Sequence, residues 1–141
     1  MTRLHKSSII MSQDSAVINQ ITELLLQYDY SVTIEKSIMK IISKLLENNV
    51  NLLILDLYSP QSMNFDSIDI IRKLRPRLPI IVLLIDNSLE TLKTLAQKGI
   101  FYSTTKPVQA EEIMEVLEAV GQSYHKNTES PNSVVQSKRQ F

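Results

Sequence analysis

The sequence predicts an α/β protein in which a five-stranded parallel sheet is covered by helices on both faces. Along the 141 residues, short strand-like runs alternate five times with segments of helical periodicity. Such alternation calls for right-handed crossovers between parallel strands. Two of the runs, 51–56 and 79–85, are apolar on successive residues, which indicates burial on both faces of a sheet.

The first half of the chain contains three predicted strands and two predicted helices. The runs 7–12, 30–34 and 51–56 have strand composition. Between the first two runs, apolar residues recur at intervals of three and four, which marks one face of a helix that Asp14 or Ser15 can cap. These apolar residues are Val17, Ile21, Leu24, Leu25 and Tyr28. The second helix shows the same spacing at Ile38, Ile41, Ile42 and Leu45.

The second half continues the alternation with three helices and two strands. The third helix carries Ile68, Ile71 and Leu74. It must stop near Arg75 because Pro76 disfavours helical backbone in the residue before it. The strand 79–85 follows, and then a fourth helix with Leu89, Leu92 and Ala96. Gly99 stands where a helix C-terminal cap belongs, ahead of a strand at 100–104. The fifth helix carries Ile113, Val116, Leu117 and Val120.

Periodicity is lost after Gly121. We therefore expect residues 1–121 to form one domain, which suits the length of the chain, and residues 122–141 to form a disordered tail or a linker.

The composition argues against several classes of function. The formal net charge is zero, so bulk electrostatics give no reason to expect nucleic acid or an anionic membrane as a partner. The absence of cysteine excludes disulfides and thiolate chemistry. Glycine occurs only at 99 and 121, so no glycine-rich phosphate loop exists, and we expect neither a nucleotide nor a flavin. No apolar run is long enough for a signal peptide or membrane span, and a cytoplasmic protein is expected.

Polar side chains gather where four of the predicted strands end. Ligands of an open parallel α/β sheet bind outside the carboxyl ends of its strands, so we expect the functional site there. The residues at these ends are Ser12, Gln13, Asp14, Asp56, Asp86, Thr104, Thr105 and Lys106.

Two motifs at this edge, "LDLYSP" (55–60) and "STTKPV" (103–108), resemble those of the receiver domain of response regulators, the CheY-like superfamily. The resemblance covers about residues 7–121. It implies a doubly wound, flavodoxin-like sheet with strand order 2-1-3-4-5. It also implies phosphorelay signalling in a two-component system, in which a histidine kinase phosphorylates an aspartate in a Mg²⁺-dependent reaction, and no enzyme activity is expected.

The resemblance assigns roles to individual residues. Asp56 matches the phosphoacceptor, and Pro60 matches the proline four residues beyond it. Lys106 matches the lysine whose charge holds a phosphoryl oxygen. Pro107 matches the proline that follows a cis peptide bond in the family.

The metal-binding positions depart from the family pattern. Receiver domains end their first strand with two adjacent acids, whereas this chain has Ser12 and Gln13, followed by Asp14. A hydroxyl and an amide supply no negative charge, so Asp14 and Asp56 are the metal ligands that we expect. The affinity for Mg²⁺ should fall steeply unless the Asp14 side chain turns inward.

The two positions that change conformation on activation also depart from the pattern. Leu84 stands where the family has a threonine or serine that hydrogen-bonds the phosphoryl group. Ser103 stands where the family has a tyrosine or phenylalanine, and Phe101 and Tyr102 occupy neighbouring positions. We expect these two aromatic residues to alternate across the strand, so that at most one is available to a partner.

Three hypotheses remain open. The favoured one is an atypical receiver that works mainly through protein–protein contact, with weakened or lost phosphorylation, in which Asp56 is an ion-pair partner of Lys106. The second is a phosphoprotein that accepts a phosphoryl group at Asp56. The third is a small flavodoxin-like enzyme or binding protein that shares only the architecture. Expected partners are a histidine kinase or another signalling protein, with the surface of helix 4, strand 5 and helix 5 available for a partner or a homodimer.

Overall fold

Strands and helices alternate in the computed structural model, which describes residues 6–57, 65–85 and 88–129, with side chains as far as residue 123. The elements in chain order are β1 (Lys6–Met11), α1 (Ser15–Gln27), β2 (Tyr30–Glu35), α2 (Ile38–Glu47), β3 (Leu52–Asp56), α3 (Asp66–Leu74), β4 (Ile80–Leu84), α4 (Leu89–Gln97), β5 (Tyr102–Thr105) and α5 (Ala110–Glu129).

The five strands form one sheet in the order β2-β1-β3-β4-β5, with every neighbouring pair parallel. The strand order implied by the resemblance is therefore confirmed. The chain runs from β1 outward to β2, returns to β3 beside β1, and then continues through β4 to β5 on the other side. The order of the strands therefore reverses between β1 and β3. Because all five strands are parallel, the carboxyl ends of β1, β3 and β5 lie along one edge of the sheet, where the functional site of such a sheet is expected.

Two apolar clusters cover the two faces of the sheet. One joins the sheet to α2, α3 and α4, and the other joins it to α1 and α5. Successive residues of β3 enter the two clusters in turn, with Leu53 and Leu55 in the first and Leu52 and Ile54 in the second. The prediction that this strand is buried on both faces is confirmed, since all of its residues are buried.

The helix ends follow the predicted signals. Asp14 caps α1, since its side chain accepts hydrogen bonds from the backbone N–H groups of Ala16 and Val17. Helix α3 ends at Leu74, before Pro76. Gly99 follows α4 with a φ of 74°, a conformation that residues with a Cβ atom adopt less readily.

Helix α5 is longer than its periodicity predicts, since it continues through Gly121 to Glu129. Glycine inside a helix costs only about 1 kcal/mol relative to alanine, so a helix that is already formed can pass through it. Residues 122–129 are mostly polar and carry no apolar periodicity, so the pattern could not detect this extension. Residues 130–141 of the predicted tail lie outside the described residues. In the ranges that are described, no helix has the length and apolar character that crossing a membrane requires.

Candidate functional site

Asp56 ends the central strand β3 and is only 4% exposed. Its neighbours along the strand are apolar and buried, and β1 and β4 lie on either side. The strand therefore delivers one carboxylate to the carboxyl edge of the sheet, in an environment where an acid needs polar partners. Pro60 and Asp86, which the sequence also places near this edge, lie outside the described residues.

Lys106 supplies the first partner. It directly follows β5, where its backbone N–H donates to the Leu84 carbonyl at 2.8 Å. The bond between Lys106 and Pro107 is cis, as the resemblance implies. The Lys106 ammonium lies 2.7 Å from Asp56 Oδ1, and the side chains are 18% and 0% exposed respectively. The two residues form an ion pair at the edge of the core.

Ser12 supplies the second partner, which the sequence did not reveal. It follows β1, is 2% exposed, and donates a hydrogen bond of 2.6 Å from Oγ to Asp56 Oδ2. The same Oγ accepts from the Asp14 backbone N–H at 3.0 Å. The signal was available in principle, because strand pairing that sets Met11 beside Leu55 also sets Ser12 beside Asp56. Both oxygens of the carboxylate are thus engaged.

Asp14 serves the helix rather than the carboxylate edge in this structure. Its Oδ1 accepts from the N–H groups of Ala16 at 3.0 Å and Val17 at 3.3 Å, the geometry of an N-terminal cap. Gln13 beside it is exposed. Sequence reasoning weighed Asp14 both as a cap and as a metal ligand, and the hydrogen bonds show the cap.

The donors at this edge fit Mg²⁺ poorly. The ion requires about six oxygen ligands in near-octahedral geometry, usually with carboxylates among them. Ser12 and Gln13 bring no charge, Asp14 bonds the helix end, and the charge of Asp56 is already offset by Lys106 at 2.7 Å. Across the described part of the chain, no three acidic or histidine side chains come together as a metal site would require.

Leu84, which the resemblance matches to a hydroxyl-bearing position of the family, ends β4. It is 3% exposed and packs in the cluster under α2, α3 and α4 together with Leu55 and Val82. Ser103 is half-buried and pairs with Val82 across β4 and β5. The carboxyl end of β4 therefore carries an apolar side chain, and β5 carries a small side chain where the resemblance implies a ring.

Tyr102 is held on the opposite face of β5. Its hydroxyl donates a short hydrogen bond to a Glu112 carboxylate oxygen, and Thr104 donates to the other oxygen at 3.0 Å. The hydrogen bond to Glu112, with burial and the charges of Glu112 and Glu115, raises the pKa of Tyr102 to about 12. Phe101 precedes the strand and packs against the same core cluster as Tyr102, so the expected alternation of the two rings is wrong.

Comparisons with known proteins agree on one family. The sequence model of the response regulator receiver domain matches residues 9–118. Among curated proteins, the chain is similar to the DNA-binding transcriptional regulator NtrC of Azospirillum brasilense, with 27% identity over 110 residues, covering 78% of this chain and 23% of that protein. The chain thus spans about a quarter of the length of that relative.

Solved structures show the same fold. The receiver domain protein (CheY-like) of Methanospirillum hungatei superposes with a TM-score of 0.75 and 22% identity, covering 87% of this chain and 99% of the other. A response regulator from Thermotoga maritima gives 0.76 with 15% identity, covering 85% and 100%. At these identities the similarity establishes the architecture of the chain.

Proposed function

We propose that this chain, which belongs to the response regulator receiver domain family, signals mainly through protein–protein contact. Mg²⁺-dependent phosphorylation of Asp56 is, on this proposal, weakened or lost. Receiver domains are signalling modules of two-component systems. The proposal concerns how this member works, and the observation that supports it is the state of the Asp56 carboxylate.

The carboxylate is poorly prepared to attack phosphorus. Its oxygens lie 2.7 Å from the Lys106 ammonium and 2.6 Å from the Ser12 hydroxyl. Electrostatic stabilisation of the transferring group supplies most of the rate of phosphoryl transfer. At this edge that stabilisation comes from Lys106. The two positions where the family has cation-binding acids are occupied here by a serine and a glutamine, which carry no negative charge. Leu84 adds no hydroxyl to receive the phosphoryl group.

The phosphoacceptor hypothesis keeps one specific support. Asp56 and Lys106 lie together at the carboxyl edge of the sheet, as the resemblance to a phosphoacceptor site implies. Opening the Ser12 hydrogen bond would free one oxygen for attack. Family membership favours both signalling hypotheses over a flavodoxin-like enzyme or binding protein.

The partners follow from the family. Receiver domains interact with histidine kinases and other proteins, and we propose that a signalling protein binds this chain on the surface of α4, β5 and α5. A homodimer through that surface stays a prediction, as do the cytoplasmic location and the lack of nucleic-acid binding by this domain. The similarity to DNA-binding transcriptional regulators suggests a DNA-binding domain as a partner of the receiver.

Intact-mass spectrometry tests the proposal. The protein is incubated with acetyl phosphate and Mg²⁺, with Asp56→Asn as the control that lacks the carboxylate. We expect no phosphoryl mass increment on the wild-type chain and an increment on Ser12→Asp/Gln13→Asp, which restores the two acids. Rapid labelling of the wild-type chain that Asp56→Asn abolishes would establish the phosphoacceptor instead.

A further inference from the structure

Helix α2 is apolar over more of its surface than the core uses. Ile41 and Leu45 are fully buried beneath it. On the outer side, Met39 is 73% exposed and Leu46 is 67% exposed. These two residues lie seven positions apart, so they share one face of the helix, with the partly buried Ile42 between them. Met39, Ile42 and Leu46 form what we name the α2 stripe.

Helix α3, beside α2, also has an exposed apolar residue. Helix α3 contacts α2 and leaves Ile70 49% exposed. Among the described residues of α4, β5 and α5, Leu89 is the large apolar residue that is as exposed as Met39 and Leu46, at 68%. Among the described elements, α2 alone has two large apolar residues exposed. Leu26, Ile34 and Leu89 are single exposed residues on α1, β2 and α4, and Ile85 follows β4.

The charges beside the stripe are arranged for self-association. Lys40 and Glu47 are exposed, and both follow a stripe residue by one position, so they lie on the same flank of α2. Seven residues of helix separate them by about 10.5 Å along the axis. When two copies of α2 pack antiparallel about a two-fold axis near Ser43, Lys40 of each copy meets Glu47 of the other. Parallel packing about a two-fold axis does not bring them together.

We infer that the α2 stripe is an interface between two copies of this chain, with their α2 helices antiparallel. Met39 of one copy packs against Leu46 of the other, and the exposed Ser43 side chain leaves room at the centre for a close approach. The ten residues of α2 span about 15 Å, so the interface is smaller than that of a stable dimer. The association is accordingly weak and depends on concentration. It does not depend on phosphorylation of Asp56.

Sedimentation velocity over a series of protein concentrations tests this inference. We expect the wild-type chain to dimerise reversibly, and Met39→Glu or Leu46→Glu to sediment as a monomer. Leu26→Glu is the matched control, because Leu26 lies on α1, outside both proposed interfaces, and is 57% exposed. It should leave dimerisation unchanged. Circular dichroism verifies that each variant is folded.

A charge exchange separates self-association from any other use of the stripe. Lys40→Glu sets like charges opposite each other at two places and should weaken dimerisation about tenfold. Lys40→Glu/Glu47→Lys restores opposite charges and should recover the wild-type affinity. A wild-type chain that stays monomeric overturns the inference. So does a dimer that Leu26→Glu disrupts while Met39→Glu does not, or a double variant that fails to recover.

Discussion

Ser12 and Asp56 are 44 positions apart in the chain, yet Ser12 Oγ donates a hydrogen bond of 2.6 Å to Asp56 Oδ2. The bond is buried and joins the ends of two neighbouring strands. Ser12, which the resemblance matches to a metal-binding acid, is thus a hydrogen-bond partner of the central carboxylate.

Ser12→Ala should destabilise the fold by about 1–3 kcal/mol, because it leaves a buried carboxylate oxygen without its donor. Urea denaturation with linear extrapolation measures the change. Ser43→Ala is the control, since Ser43 is exposed on α2 and its replacement should alter the free energy of unfolding by less than about 0.5 kcal/mol. Equal stabilities for the two variants would show that the hydrogen bond contributes nothing.

Lys106→Met should cost about 3 kcal/mol of unfolding free energy, because it leaves the Asp56 carboxylate buried without its countercharge. Asp56→Asn/Lys106→Met removes the charge as well and should recover part of the loss. Lys98→Met is the matched control. Lys98 pairs with Asp69 at 2.9 Å, but that carboxylate is 49% exposed, so the cost should be under about 1 kcal/mol.

Leu84→Thr supplies the hydroxyl that the family has at this position but removes apolar volume from the core. We expect a loss of about 2–4 kcal/mol in the free energy of unfolding, since Leu84 is 3% exposed and its neighbours cannot fully close the space. Leu89→Thr, at a site 68% exposed, should have a small effect. Phosphorylation should not appear with Leu84→Thr alone, because the metal-binding acids are still missing.

Tyr102 should ionise only in strongly alkaline solution. Its pKa is raised to about 12, and the hydrogen bond to Glu112 is the largest cause. A tyrosine in the unfolded chain has a pKa of about 10. The folded state therefore favours the protonated phenol. The resulting stabilisation is complete below pH of about 10 and is lost as the pH rises through about 12.

Absorbance titration of the phenolate checks this pH dependence. Tyr102→Phe should remove one high-pH transition from the titration, and Glu112→Gln should move the pKa of Tyr102 down towards its usual value. A Tyr102→Phe difference curve centred near the pKa of free tyrosine would contradict the assigned hydrogen bond.

Much of the fold could be predicted because local patterns determine it. Alternation of strands and helices predicted four crossovers between five strands, and Asp14, Pro76 and Gly99 marked helix ends that the structure confirms. The ends of the predicted strands also placed Asp56 and Lys106 at one edge of the sheet, and in the structure Lys106 Nζ lies 2.7 Å from Asp56 Oδ1.

The missed features depend on neighbours that are distant in sequence. The hydrogen bond from Ser12 to Asp56 requires the register of β1 against β3. The attachment of Tyr102 to Glu112 requires β5 to start one residue after Phe101 and α5 to pack beneath it. Periodicity gives neither register nor strand ends with this precision.

The central claim is that this carboxyl edge does not hold Mg²⁺ well enough for efficient phosphorylation, and a magnesium titration followed by amide chemical shifts tests it most directly. Ser12→Asp/Gln13→Asp provides the reference, since it restores the two acids. At magnesium concentrations that saturate this variant, we expect the amides at the ends of β1 and β3 in the wild-type chain to show no saturable shift. Saturable wild-type shifts confined to the surroundings of Asp14 and Asp56, at the concentrations that saturate the variant, would contradict the claim.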